Sequence, residues 1–152
     1  MTLPLRLLAP LALVLLLLTA PVALAARPPA GTKYRGKTSQ GRTINLAVSA
    51  SGTGLLITNR EVFRCKGVAD QVATATYRKD RPTITTAGTY RYRKRYTGLR
   101  ASVFPGTFTN TQRLSGRFSA DLSRVSGRSF ARLFNKRFAC RSGITFTARR
   151  VP

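Results

Sequence analysis

The residues best suited to contact an anion form a seven-residue run, Tyr90–Tyr96, with the sequence YRYRKRY. If this run is a β-strand, its three arginines share one face, because successive side chains of a strand point to opposite faces. Their guanidinium groups would then repeat at roughly 6 to 7 Å, and each can bind a phosphate or sulfate through two parallel hydrogen bonds. The predicted anionic-ligand residues are Arg91, Arg93, Arg95, Tyr90, Tyr92 and Lys94.

A second interpretation of the same run needs no ligand. The tyrosines, which share the other face with Lys94, would pack on the core, and the arginines would be solvated, as is ordinary on the outer face of a sheet. A basic edge strand also resists aggregation. The tyrosines would stack on bases or sugars only if their face is exposed.

The residues available for catalysis are few. Histidine is absent and the acids are Glu61, Asp70, Asp80 and Asp121, so nucleophile–histidine pairs and the commonest general base are excluded. Asp80 and Asp121 adjoin turn signals, where Asp bonds its own backbone, and the basic neighbours of Glu61 and Asp70 predict surface ion pairs. We expect no catalytic residue; a cryptic hydrolase using two carboxylates stays an alternative.

Metal and cofactor sites are not expected. The four acids are scattered unlike a calcium loop, and two cysteines without histidine do not complete a zinc site. Gly52-Thr53-Gly54 lacks the remaining glycine and lysine of a phosphate-binding loop. It is interpreted as a hairpin turn.

Residues 1–25 are interpreted as a secretory signal peptide. Arg6 gives a positive start, Leu11–Leu18 is an unbroken apolar run, and Ala23-Leu24-Ala25 is a cleavage pattern. An uncleaved membrane anchor is the alternative, although Pro10 and Pro21 interrupt the apolar stretch. The protein is therefore expected to be secreted or associated with the cell envelope.

Cys65 and Cys140 are the two cysteines. An even number of cysteines in a chain that enters an oxidising compartment predicts a disulfide between them. A redox-active pair is the alternative, but such pairs usually have C-x-x-C spacing.

The charge of the remaining 127 residues is strongly positive, with 26 Lys or Arg against four acids, a net +22. Arginine outnumbers lysine by 21 to 6 in the whole chain, and arginine is the better residue for bidentate contacts and stacking. A basic surface facing anionic partners is expected. Codon composition would raise the arginine content without any ligand, and net charge alone does not specify a fold.

The elements that must position these residues are short strands. Residues 26–33 form a flexible lead-in, and residues 34–152 carry period-two alternation, as in Ile44–Val48, Glu61–Lys66, Val72–Tyr77 and Thr89–Thr97, separated by Gly, Pro and Asn turns. This pattern predicts a single all-β domain, an antiparallel sandwich or barrel of about eight to ten strands with meander hairpins. Residues 128–138 also fit one or two helical turns.

A near-repeat predicts one hairpin in particular. Arg113–Ala120 and Arg124–Ala131 share Ser-Gly-Arg at an offset of eleven residues and are joined by Asp121-Leu122-Ser123. We predict that they pair as adjacent antiparallel strands. Gly116 and Gly127 would then mark close backbone approach or a bulge.

The C-terminal Cys140-Arg141-Ser142-Gly143, followed by the alternating run to Arg149 and preceded by the Ser-Gly-Arg pair, resembles a family. It is similar to uncharacterised secreted all-β proteins of high-GC actinobacteria, which share a C-terminal Cys-x-Ser-Gly motif and a following aromatic residue. The resemblance covers residues 34–152 and implies an extracytoplasmic β domain. It implies no activity and no catalytic residues.

Together these observations predict a secreted, monomeric, non-enzymatic basic β domain. Its expected partner is an anionic polymer or surface: acidic glycan, teichoic acid, anionic lipid or extracellular nucleic acid. The alternative is a small barrel that carries an apolar ligand. An internal cavity bordered by Phe104, Phe118, Phe130 and Phe146 would distinguish it.

Overall fold

The computed structural model describes residues 26–77, 81–102 and 104–152, and for Thr76 and Tyr77 only the backbone. The predicted signal peptide therefore lies outside the described residues, as does Asp80. Within the described part of the chain there is no helix long and apolar enough to cross a membrane.

In the part of the chain that the structure describes, nine antiparallel strands form one sheet, which confirms the predicted all-β class. Their order across the sheet is β4-β3-β2-β1-β9-β8-β7-β6-β5. The strands are β1 (Lys33–Thr38), β2 (Thr43–Val48), β3 (Leu55–Lys66), β4 (Gln71–Tyr77), β5 (Thr83–Ile84), β6 (Thr89–Leu99), β7 (Phe108–Phe118), β8 (Arg124–Phe134) and β9 (Ala139–Val151).

The sheet curves back on itself at β3. The first half of β3 pairs with β2, and Arg64–Lys66 pair with β9. Gln40, in the β1–β2 turn, fills the gap between these two partners: its Oε1 accepts from the Val62 N–H at 2.7 Å and its Nε2 donates to the Val62 carbonyl at 3.2 Å. At the other end of the strand order, Leu55 N–H donates to the Pro82 carbonyl and Ile84 N–H to the Thr53 carbonyl. These bonds tie β5 to the start of β3.

The side chains that face inward form two apolar clusters. The larger cluster centres on Tyr34, Tyr90 and Phe118, which are at most 1% exposed. In the smaller cluster Phe104 stacks on Phe138 with ring centroids 4.7 Å apart. Burial of this apolar surface is the main driving force that stabilises the curved sheet.

Glu61 lies between the two clusters along β3 and is fully buried. Its Oε1 accepts hydrogen bonds from Asn59 Nδ2 at 2.7 Å and from Ser129 Oγ at 3.1 Å. The prediction of a surface ion pair for Glu61 was therefore wrong. The sequence contained the contrary signal, because Glu61 has the same strand parity as Ile57 and Phe63, which are buried.

Two segments differ from the sequence prediction in detail. Glu61–Lys66 is not a strand of its own but the second half of β3, because Asn59 and Glu61 continue the inward face that begins in its first half. The helical interpretation of residues 128–138 was wrong, since residues 128–134 belong to β8 and residues 135–138 form its connection to β9.

The hairpin predicted from the near-repeat is confirmed. β7 and β8 pair without a bulge from Thr109 opposite Phe134 to Phe118 opposite Val125, and Gly116 lies directly opposite Gly127. The two glycines face inward beneath the ring of Tyr90, whose hydroxyl donates to the Ser126 carbonyl at 3.3 Å. They mark close approach, because an added Cβ on Gly127 would lie 2.5 Å from the Tyr90 hydroxyl.

Asp121 organises the turn of this hairpin, as predicted for an Asp beside turn signals. Its carboxylate accepts from the Ser119 and Ser123 hydroxyls and from the Ser123 N–H. These hydrogen bonds favour the charged form and lower the pKa of Asp121 to about 2 from 3.8.

The turn should consequently be sensitive to acid. A carboxyl whose folded pKa is lowered contributes stability above its unfolded pKa and loses the contribution as the pH falls through the folded pKa. We expect Asp121→Asn to lower the melting temperature at pH 6, and the difference from the wild type to shrink between about pH 4 and pH 2. Melting curves across this range measure the difference. Asp70 is present in both proteins, so its titration cancels from the comparison. A difference in melting temperature that stays constant down to pH 2 would contradict the role assigned to Asp121.

Candidate functional site

The three arginines of the Tyr90–Tyr96 run lie on the outer face of β6, as their spacing predicted. Arg91, Arg93 and Arg95 are all exposed. The strand begins after a turn in which Thr85 accepts from the Thr89 N–H, and it is paired along its length with β7. The arginines therefore project from a strand that is hydrogen-bonded on its β7 side.

The other members of the predicted site lie on the inner face. Tyr90 is completely buried, and burial raises its pKa. Tyr92 is half-buried against the larger cluster, with its hydroxyl 2.5 Å from that of Tyr96. Lys94 is exposed, and its register partner on β7 is Gln112. The structure thus separates the arginines from the tyrosines, and Tyr90 supports the sheet from beneath.

The strand pairings place further arginines on the same face as Arg91, Arg93 and Arg95, on three more strands. Residues directly opposite in an antiparallel pair share a face, so the pairings of β6 with β7, β7 with β8 and β8 with β9 define one outer face. We call this surface the arginine face. Its exposed arginines are Arg91, Arg93, Arg95, Arg113, Arg117, Arg124, Arg128, Arg132, Arg141 and Arg149.

The four described strands of the arginine face, β6 to β9, contain no Asp or Glu. Arg93 lies directly opposite Arg113, and Arg132 directly opposite Arg141. Like charges in directly opposed positions destabilise a sheet. A bound polyanion would relieve this repulsion.

Phe130 lies in the middle of the arginine face and is 43% exposed. Its register partners are Arg113 on β7 and Gly143 on β9. A Cβ added to Gly143 would lie 3.9 Å from a carbon of the Phe130 ring, so the ring lies beside the gap left by the glycine. Phe130 was expected to border an internal cavity; that expectation was wrong, because Phe130 shares the strand parity of Arg128 and Arg132. Phe104, Phe118 and Phe146 are buried as expected.

Two open depressions adjoin each other on this face. One, of about 680 Å³, is lined by Arg91, Arg93, Arg113, Arg128 and Phe130 among others. The second, of about 580 Å³, lies over the paired glycines. Both are lined by Arg91, Ser115 and Arg128, along which they adjoin, and we call the two together the central groove.

Small side chains make the floor of the central groove low. One cross-strand row contains Arg91, Ser115, Arg128 and Thr145, so short hydroxyl side chains separate the long guanidinium arms. Arg128 is oriented across β7, with its Nε donating to Ser115 Oγ at 3.4 Å. Phe130 lies two residues beyond Arg128 on β8, next to this row.

Sequence reasoning found three members of this surface and missed the others. The alternation of Arg124, Arg128, Phe130 and Arg132 was visible within β8, but their place beside β6 depended on the strand order. Arg132 also packs over Phe134, with its guanidinium carbon 4.7 Å from the ring centroid. A cation and an aromatic ring at that distance attract each other.

The three carboxylates among the described residues lie on separate elements. Glu61 is buried on β3, Asp121 lies in the β7–β8 turn, and Asp70 is 2.9 Å from Arg64 in the predicted surface ion pair. The backbone N–H of Cys65 and then Arg64 lower the pKa of Asp70. Among the residues that the structure describes, no group of three His, Cys, Asp or Glu could hold a metal ion.

The predicted disulfide between Cys65 and Cys140 is confirmed. The two cysteines are directly opposite each other where β3 meets β9, in a pairing of only three residues per strand. The disulfide thus links the strand that leaves β2 to the strand that bears Arg141 and Gly143. It therefore reinforces, at the β3–β9 contact, the attachment that the β1–β9 pairing already gives to the arginine face.

Comparisons of the chain with family models, with curated proteins and with solved structures found no match.

Proposed function

We propose that the protein is a secreted, non-enzymatic β domain that associates with anionic polymers or surfaces at the cell envelope. The observation that carries the proposal is the arginine face, which gathers ten exposed arginines on four strands without an acidic residue. Such a surface attracts a polyanion over a distance and can then bind its phosphates or sulfates through paired hydrogen bonds.

The arrangement of the arginines supports a positioned site rather than a diffuse charge. Directly opposed pairs such as Arg93 with Arg113 repel each other in the unbound protein. Arginines dispersed for solubility alone would gain nothing from this register. A polymer bearing regular negative charges would contact both members of such a pair.

The other parts of the proposal have separate support. The Cys65–Cys140 disulfide is compatible with an oxidising compartment, and the sequence of residues 1–25 suits export. A non-enzymatic role agrees with the absence of histidine from the chain and with the dispersed carboxylates.

Salt dependence tests the proposal. The probe is a base-free deoxyribose-phosphate oligomer, and its affinity is measured by fluorescence anisotropy at increasing salt concentration. Each neutralised phosphate releases condensed counterions, so affinity should fall steeply with salt. Replacing Arg91, Arg93 and Arg95 together by Gln should lower the log–log salt slope by about 2, given roughly 0.7 per contact on a single strand.

The matched control replaces Arg27, Arg42 and Arg60 by Gln. These exposed arginines lie outside β6–β9 and remove the same net charge. The control should retain most of the binding, because geometry rather than total charge determines bidentate contacts. Equal losses in the two triple variants would reject a positioned site, and binding unaffected by high salt would reject the electrostatic proposal.

A further inference from the structure

Phe130 is the one large apolar residue exposed on the arginine face, and charge alone does not account for it. On a solvated face this position favours a polar side chain, yet here an aromatic ring is 43% exposed between Arg113 and Gly143. Exposed aromatic rings within a cationic groove are the feature by which proteins bind unpaired bases. We infer that the central groove binds single-stranded nucleic acid and that a base stacks on Phe130; this inference rests on the proposed function and specifies its ligand.

The position of the ring suits stacking. Gly143 has no side chain, so no side chain covers the ring from the directly opposite position on β9. Arg113 is the partner on β7, and Arg128 and Arg132 are the next outward residues along β8. A base on Phe130 would therefore have guanidinium groups around it that can contact the flanking phosphates.

The groove also suits a single strand rather than a duplex. Stacking requires a free base face, which a paired and stacked base does not offer. The two depressions continue along β7 and β8 from the glycine pair towards Phe130. A flexible strand can follow this groove, with its phosphates against the arginines and one base turned towards Phe130.

The polar groups of the face favour nucleic acid over an acidic glycan. Apart from the arginines, the outward polar side chains of β6–β9 are serines and threonines, including Ser115, Ser126 and Thr145. No carboxylate or carboxamide occupies an outward position of these strands, whereas Asn110 and Gln112 lie on the inner face. The face thus offers many donors for phosphate and few strong acceptors for sugar hydroxyls.

The experiment compares two probes that differ only in their bases: a fluorescein-labelled oligothymidylate and the base-free oligomer of the same length. The wild type should bind the oligothymidylate more tightly. Phe130→Ala should weaken oligothymidylate binding by about 5- to 150-fold, the range for loss of one stacked base. The same substitution should change binding of the base-free oligomer less than about 2-fold, since phosphate contacts carry that interaction.

A second variant tests stacking directly. The chain contains no tryptophan, so Phe130→Trp introduces a single indole at the proposed contact. Oligothymidylate should quench its fluorescence and the base-free oligomer should not. Because Phe130 is exposed, both variants should keep the wild-type melting temperature within a few degrees, and circular dichroism checks this.

The outcomes separate this inference from the proposed function. Equal losses on both probes, or none on either, would overturn base stacking while leaving polyanion association intact. A Phe130-dependent preference for a sulfated glycan or for phosphatidylglycerol vesicles over oligothymidylate would overturn the nucleic-acid assignment. Failure of the wild type to bind either oligomer, the glycan or the vesicles would overturn the proposed function itself.

Discussion

Gly116→Ala should destabilise the domain by about 3 kcal/mol, at the upper end of the usual range for overpacking. A Cβ at this position would overlap the Tyr90 ring and the Ser126 carbonyl oxygen. Tyr90 has no room to withdraw, because it is fully buried and its ring lies 6.0 Å from that of Phe118. Urea unfolding followed by circular dichroism measures the loss.

Gly143→Ala is the matched control on the neighbouring pair of strands. The added methyl group would meet only the Phe130 ring, at 3.9 Å, which is an ordinary contact. Alanine also loses less backbone entropy on folding than glycine, so this variant should be neutral or up to about 1 kcal/mol more stable. Equal destabilisation by the two substitutions would show that the Tyr90 contact does not determine the need for glycine at position 116.

Removal of the disulfide should have the largest effect on stability. Replacing Cys65 and Cys140 together by Ala should lower the free energy of unfolding by about 4 to 5 kcal/mol, because the link closes a loop of 75 residues and restricts the unfolded chain. This loss is comparable to the whole stability of a small domain. Urea midpoints of the oxidised wild type and the double variant give the difference.

Reduction supplies the control for this prediction. Dithiothreitol should bring the wild-type urea midpoint close to that of the double variant and leave the variant unchanged. A variant that keeps the oxidised wild-type midpoint would contradict the prediction. It would mean that the β3–β9 pairing holds without the link.

The local elements of this fold could be predicted from sequence, and their assembly could not. The β7–β8 hairpin was predictable because both strands and the Asp121 turn carry short-range signals. The pairing of β3 with β9 was not predictable, because it depends on contacts between residues far apart in sequence, such as the hydrogen bond from the Val62 N–H to Gln40. A period-two pattern does not specify which strands pair where the sheet curves back on itself.

The candidate site shows the same division between local and distant information. The exposed arginines of β6 followed from their spacing alone. The arginine face required the register of three further strands, which places Arg113 opposite Arg93 and Phe130 opposite Arg113. Aromatic character favours the core for Phe130, but its alternation with Arg128 and Arg132 predicts the outer face, where it lies.

The pairing of the first and last strands has a consequence for how the protein can be tethered. Lys33 on β1 lies directly opposite Val151 on β9, so both ends of the folded chain leave the sheet at the same place. Gly143, beside Phe130, is eight residues back along β9, or about 26 Å at the usual strand rise. An attachment next to Lys33 or Val151, whether to a bead, a membrane or a fused partner, would therefore lie far from the Phe130 end of the central groove and leave it open to the surrounding solution.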